Sequence, residues 1–276
     1  MSELQSNNSL PNSEKPSVAS GERVTTRECT EHGAYEAKCI EMPMGLEPVV
    51  LGCPKCAKAA ETAAAQRKER SEQIVRMQKL KGLTSSAAIP EKYTGATIGD
   101  YVTEFPGEKY AKAICETYVR TWADQRLKGG SLVFTGMCGT GKTYLACAIG
   151  NAVMSEHLGT VVFGTVPEII GLVKETYRDG AKRTERQVIR ELMEPDLLII
   201  DEIGAQRGTE YELQVLFEII NTRYQANKPI VLISNLTKEQ LEQFLGERVM
   251  DRFRECGTVV PFSWPSFRSR KQGALC

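Results

Sequence analysis

Beyond residue 90 the chain alternates short apolar runs with longer stretches of helical period. The runs SLVFTG (131–136), TVVFGT (160–165), DLLIID (196–201), PIVLIS (229–234) and TVVPF (258–262) have few polar interruptions. Short runs of this kind, bounded by turn residues, predict strands buried on both faces. Between them, helical stretches fall near 108–126, 142–157, 166–178, 184–193, 209–226 and 237–255. Such alternation implies right-handed crossovers. The expected class is α/β, a mostly parallel five-stranded sheet flanked by helices.

The first 90 residues carry a different pattern. Residues 1–24 are rich in Ser, Asn, Pro and Glu, too polar to bury a core, and read as a disordered tail. Residues 25–57 suit short strands and turns around clustered cysteines. From Ala57 to Lys81 the composition is Ala, Gln, Lys, Arg and Glu without Gly or Pro, which favours helix, and Gly82 is the expected stop. The predicted organisation is therefore a tail (1–24), a cysteine module (25–57), a helix and linker (58–88) and an α/β domain (89–276).

Charge narrows the classes of partner. Lys+Arg and Asp+Glu both total 35 in 276 residues, so the net charge is zero and a uniformly basic DNA-gripping surface is excluded. The 57–81 helix is locally cationic, with seven basic residues against three acidic. No apolar run approaches the roughly 20 residues that span a bilayer. The N-terminus has neither the basic nor the apolar segment of a signal peptide, so the expected compartment is the cytoplasm.

In a reducing compartment, clustered cysteines point to metal rather than disulfides. Cys29-x-x-His32 and Cys53-x-x-Cys56 each have the two-residue gap that aims both side chains at one ion. Three thiolates and one imidazole suit structural, tetrahedral Zn²⁺. Cys39 is a possible substitute ligand without a partner at that spacing.

The sharpest chemical signal is Gly136-Met-Cys-Gly-Thr-Gly-Lys-Thr143, a full match to GxxxxGK[ST], placed between a predicted strand and a predicted helix. Gly136, Gly139 and Gly141 let the backbone curl so that N–H groups point at phosphate oxygens, with Thr140 in the same loop and Tyr144 just after it. Lys142 would reach the β- and γ-phosphates, and the Thr143 hydroxyl would ligate Mg²⁺. LLIIDEIG supplies the second acidic element: Asp201 at a strand's carboxyl end for the Mg²⁺ shell, Glu202 to polarise the attacking water. Asn235, after the strand PIVLIS, is placed to touch the γ-phosphate or its water. No guanine-recognition NKxD appears, which favours ATP over GTP.

GMCGTGKTYLA, LLIIDEIG, ISN and above all LGERVMDRF (245–253) with WPSFRSR (264–270) resemble AAA+ helicase loaders of the DnaC type, relatives of the IstB transposition helpers. The resemblance covers roughly residues 89–272 and implies an AAA+ P-loop fold. It also implies that Asn235 is sensor 1, Arg252 an arginine finger acting on a neighbouring subunit's ATP, and Arg268 a sensor-2-like arginine. Arg248, one turn before Arg252, shares its face. No full C-terminal helical lid is expected after the last strand. The implied partners are a hexameric replicative helicase, further copies of the chain and single-stranded DNA; the alternative is an IstB-like helper acting on duplex DNA with a transposase. Lys174, Tyr177, Arg178, Lys182 and Arg183, with Arg207, Thr209 and Tyr211, form the cation-and-aromatic clusters such a strand would use. The zinc module and the cationic helix are expected to grip the helicase.

Overall fold

The computed structural model describes residues 23–40, 42, 46–205 and 209–273. Residues 1–22, most of the predicted tail, and Arg207 lie outside them. The chain divides into two compact units, Met1–Ile74 and Val75–Cys276.

In the first unit, β1 (Arg23–Cys29) pairs antiparallel with β2 (Gly33–Ile40), and β3 (Val49–Val50) adds to the other edge of β2 through Cys39↔Val50 and Ile40↔Val49. The β1–β2 turn brings Cys29 and His32 together, and Gly33 closes it at φ +72°. The helix α1 (Pro54–Ser86) starts directly after Cys53, with Pro54 at a position where a missing N–H costs nothing. Its start falls within the second cysteine pair, so Cys56 sits in a helical first turn instead of the strands and turns expected over residues 25–57.

The second unit is a three-layer α/β domain. Its strands are β4 (Ser131–Gly136), β5 (Val161–Thr165), β6 (Leu197–Ile203), β7 (Ile230–Ser234) and β8 (Gly257–Phe262). They run parallel in the order β5-β6-β7-β4-β8. Alternate residues face two separate cores. Leu132, Phe134, Leu197, Ile199, Val231 and Ile233 pack beneath α2 (Pro106–Arg120) and α4 (Lys142–His157). Val133, Leu198, Ile200, Ile230 and Leu232 pack against α5 (Val166–Glu175), α6 (Glu185–Met193), α7 (Glu210–Gln225), α8 (Lys238–Leu245) and α9 (Glu247–Cys256). The five-stranded parallel sheet is the fold the apolar runs predicted.

Several boundaries differ from the sequence pattern, each for a physical reason. Gly82 does not stop α1, which runs to Ser86; Leu80 and Leu83 pack on the core and Ala87 is fully buried, an anchorage that outweighs the roughly 1 kcal/mol a mid-helix glycine costs. The expected linker is thus partly helix. The stretch 108–126 is two helices, α2 and α3 (Trp122–Lys128), separated at Thr121, whose backbone leaves helical geometry at ψ +20°. The stretch 237–255 breaks at Gly246, where φ is +82°. After β8 a short helix, α10 (Phe267–Gly273), appears where no element was predicted.

Candidate nucleotide site and metal centre

The loop between β4 and α4 is bent by glycines that nothing else can replace. Gly136, Gly139 and Gly141 have φ of +117°, +77° and +93°. A Cβ on Gly136 would meet the Phe262 carbonyl oxygen at 2.3 Å, and one on Gly141 the Tyr101 ring at 2.6 Å. The loop is held from outside: Tyr101 Oη and Trp264 Nε1 both donate to the Thr140 carbonyl, at 2.8 and 3.0 Å, and the Thr140 hydroxyl donates to the Met137 carbonyl. Lys142 Nζ donates to the Gly136 and Met137 carbonyls at 2.7 Å each, so the ammonium lies inside the loop's curl. Burial pushes its pKa down, with Cys138 and Asp201 opposing the shift.

Across the loop, Thr143 Oγ1 donates to Asp201 Oδ2 at 2.7 Å, bringing together the two side chains expected to share a cation. Asp201 Oδ1 accepts from the Glu202 N–H. Glu202 adopts φ +64° beside a register shift between Ile200 and Ile203. Ser234 is occupied structurally, its hydroxyl donating to the Ile203 carbonyl, and leaves Asn235 as the polar side chain at the end of β7.

These groups line one cavity of about 570 Å³, within the range of small-molecule sites. Gly139, Thr140, Gly141, Lys142, Thr143, Tyr144, Asp201, Glu202, Asn235 and Arg268 all face it. The deep glycine-lined curl, its buried cation and the Thr143–Asp201 pair fit a triphosphate with its divalent metal. Sequence reading missed part of the wall: Lys92, Tyr93, Asp100, Tyr101 and Val102 precede α2 in a segment with no periodic signal. Tyr93 and Tyr144 meet edge to face at 6.3 Å, and Tyr101 lies 6.0 Å from Tyr144. Burial raises the Tyr93 pKa, while the Arg268 guanidinium beside it works the other way.

Arg252 and Arg248 lie on α9, away from the cavity wall. The Arg252 guanidinium sits 5.3 Å from the Phe217 ring and 5.4 Å from Tyr224, half-buried, with Nη1 buried and unpartnered among the described residues. Arg248 is exposed. The predicted strand-binding cluster is assembled only in part. Tyr177 and Tyr211 do come together, with ring centroids 6.3 Å apart and hydroxyls 3.4 Å apart. Lys174, however, pairs with Glu212 at 3.4 Å, the Thr209 hydroxyl caps α7 by accepting the Glu212 N–H, and Arg183 pairs with Glu191 at 2.9 Å. Arg178 and Lys182 stay on the rim of a shallow surface pocket after α5.

In the first unit, one ligand atom from each of Cys29, His32, Cys53 and Cys56 lies within 4.8 Å of the others. His32 Nδ1 is 3.7 Å from Cys29 Sγ, 3.9 Å from Cys53 Sγ and 3.2 Å from Cys56 Sγ, and the Cys29 and Cys56 sulfurs are 3.5 Å apart. A tetrahedral zinc with bonds of about 2.0–2.3 Å separates its ligand atoms by roughly 3.5–3.8 Å. The backbone N–H of Glu31, helped by His32, holds the Cys29 thiol down to about 6, while its bond to Cys29 pushes Cys56 up to about 12. Cys39 stands apart, its sulfur 3.6 Å from the Thr25 hydroxyl.

The profile described as "IstB-like ATP binding protein" matches residues 60–274. The chain belongs to this family. Within the IstB-like family its resemblance is to the DnaC type: it is 30% identical over 239 residues to the replicative helicase loader DnaC of Escherichia coli K12, covering 84% of this chain and 93% of that protein. A DnaC of Buchnera aphidicola (strain APS) is 30% identical over 207 residues, covering 74% and 82%. Among solved structures, the DnaC helicase loader superposes with a TM-score of 0.57 at 20% identity, covering 63% of this chain and 99% of that one. AMPPCP-bound DnaA from Aquifex aeolicus gives 0.53 at 22%, covering 68% and 56%. These structural likenesses show a fold shared with the DnaC and DnaA structures, and the IstB-like match extends over the whole cavity. Among the described residues, no helix is long and apolar enough to cross a membrane.

Proposed function

We propose that this protein is an ATP-hydrolysing, cytoplasmic loader that delivers a hexameric replicative helicase onto single-stranded DNA. The observation that carries the reading is similarity along 93% of the E. coli loader, together with one cavity that gathers the loop lysine, Thr143, Asp201, Glu202, Asn235 and Arg268. Mg²⁺, held by Thr143 and Asp201, would neutralise charge on the phosphates of ATP. Lys142 exchanges its two carbonyl partners for phosphate oxygens. Glu202 orients and polarises the attacking water, with Asn235 holding it from the adjacent strand. Arg268 contacts the terminal phosphate from the far wall. Arg252, with Arg248 beside it, serves the ATP of a neighbouring subunit, so hydrolysis depends on self-association.

Cys29, His32, Cys53 and Cys56 hold structural Zn²⁺, and the module they fold grips the helicase together with the cationic α1. The Tyr177–Tyr211 pair, with Arg178, is the base-stacking part of a single-strand contact. Lys174 and Thr209 join it only by giving up their bonds with Glu212.

Two substitutions test the nucleotide chemistry. Lys142→Ala should abolish ATP binding by isothermal titration, since it removes the cation inside the loop. Glu202→Gln should bind ATP and Mg²⁺ nearly as wild type yet hydrolyse about 10²-fold more slowly. Wild-type affinity in the first, or unchanged turnover in the second, would remove those roles.

A further inference from the structure

The segment after β8 is built onto the phosphate loop. Trp264 Nε1 donates to the Thr140 carbonyl at 3.0 Å and the Phe267 N–H to the Gly139 carbonyl at 2.9 Å. Ser266 Oγ comes so close that a Cβ on Gly139 would lie 2.1 Å from it. These bonds fix the start of α10 but not its rotation. Arg268, the exposed cation that α10 turns toward the cavity, pairs with no carboxylate among the described residues. A seven-residue helix cannot orient such a side chain by its own stability.

Beside the contact of Arg268 with the Tyr93 hydroxyl, Arg270 supplies a second restraint. Its guanidinium bridges Glu104 at 2.9 Å and the carboxylate of Glu108, and lies 5.0 Å from the Phe105 ring and 5.4 Å from the Phe267 ring. Glu108 is only 1% exposed, and its other oxygen accepts the N–H groups of Glu104 and Phe105 at 2.7 and 2.9 Å. The carboxylate is therefore immobilised at the start of α2 before Arg270 reaches it. Burial would raise the Glu108 pKa, but Arg270 and those two N–H groups outweigh it and hold the carboxyl below its usual range. Arg270 and Glu108 both border the cavity, yet of the two arginines on α10 only Arg270 is paired with carboxylates among the described residues.

We propose that Arg270 is a positioning residue of the nucleotide site: its clasp on Glu104 and Glu108 locks α10 to α2 and aims Arg268 at the terminal phosphate, giving the protein its discrimination between ATP and ADP. This rests on the reading of Arg268 given above. A bidentate cation clasped between carboxylates and rings is replaced only in part by a single-pronged one.

The test is the ratio of ATP to ADP affinity, by titration, in the full-length protein. Arg268→Ala should lower that ratio by roughly tenfold, the worth of one charge-assisted contact to phosphate. Arg270→Met should lower it comparably, and the double variant should be no worse than Arg268→Ala alone, because both act through one contact. Arg270→Lys should recover part of the ratio. Glu104→Gln, altering only the half-exposed prong, keeps the fold and should show a smaller loss in the same direction, which covers the case in which Arg270→Met fails to fold. A merely structural Arg270 would lower Tm and leave the ratio unchanged, and that result, with Arg268→Ala still defective, overturns the latch alone. A wild-type ratio in Arg268→Ala overturns the reading of Arg268 beneath it.

Discussion

At residue scale the site depends on a few side chains whose partners decide what they can do. Asp201 is tied to Thr143, while the adjacent Glu202 has a left-handed backbone, and the two acids are proposed to serve two purposes. The glycines and Lys142 were legible in the sequence because each answers a steric or electrostatic demand that no other residue meets. Tyr93, Tyr101 and Arg270 were not, since an aromatic in an aperiodic segment or one arginine among several carries no positional signal. Arg252 rests on Phe217 and Tyr224, with Nη1 buried and without a hydrogen-bond partner among the described residues, and its proposed role lies on a neighbouring subunit's ATP. Arg252→Ala should bind ATP normally and lose hydrolysis, by about 10³-fold or more if it acts as in-trans fingers elsewhere do. Mixed with the equally inactive Lys142→Ala in the presence of single-stranded DNA, it should regain part of the activity, because an intact loop then meets an intact finger. Full DNA-stimulated turnover in Arg252→Ala alone would make the arginine ordinary surface charge.

At the scale of elements, the strands were more legible than the helices. A strand buried on both faces announces itself as an apolar run, whereas a helix end depends on tertiary anchorage: Leu80 and Leu83 carry α1 through Gly82, and Gly246 divides α8 from α9. The cysteine pairs were legible as a candidate metal site because their two-residue gaps match ligand spacing, and the structure brings the four side chains together. That Cys56 lies in the first turn of α1 was not. One equivalent of zinc should co-purify, and Cys53→Ser combined with Cys56→Ser should release it and abolish helicase capture. The second unit should keep its cooperative unfolding, since its two cores draw only on residues beyond Ile74. Elemental analysis that finds no metal in protein prepared without chelator would end the zinc assignment.

At the scale of the whole molecule, the α/β class followed from the order of the runs, because parallel strands with crossover helices admit few arrangements. The proposed nucleic-acid surface was the least legible part. Charged residues near helix ends are drawn into local pairs, as Lys174 is with Glu212, and only the Tyr177–Tyr211 contact survives folding as a distinctive feature. Loading itself is a property of an assembly, and its most direct test is the transfer of a hexameric replicative helicase onto circular single-stranded DNA, followed by gel filtration of the DNA-bound fraction. Wild-type protein with ATP should place the helicase on the circle, and Lys142→Ala should leave it in solution. Wild-type protein that neither captures the helicase nor changes its yield on the circle, yet stimulates a transposase on duplex DNA, would contradict the loader account.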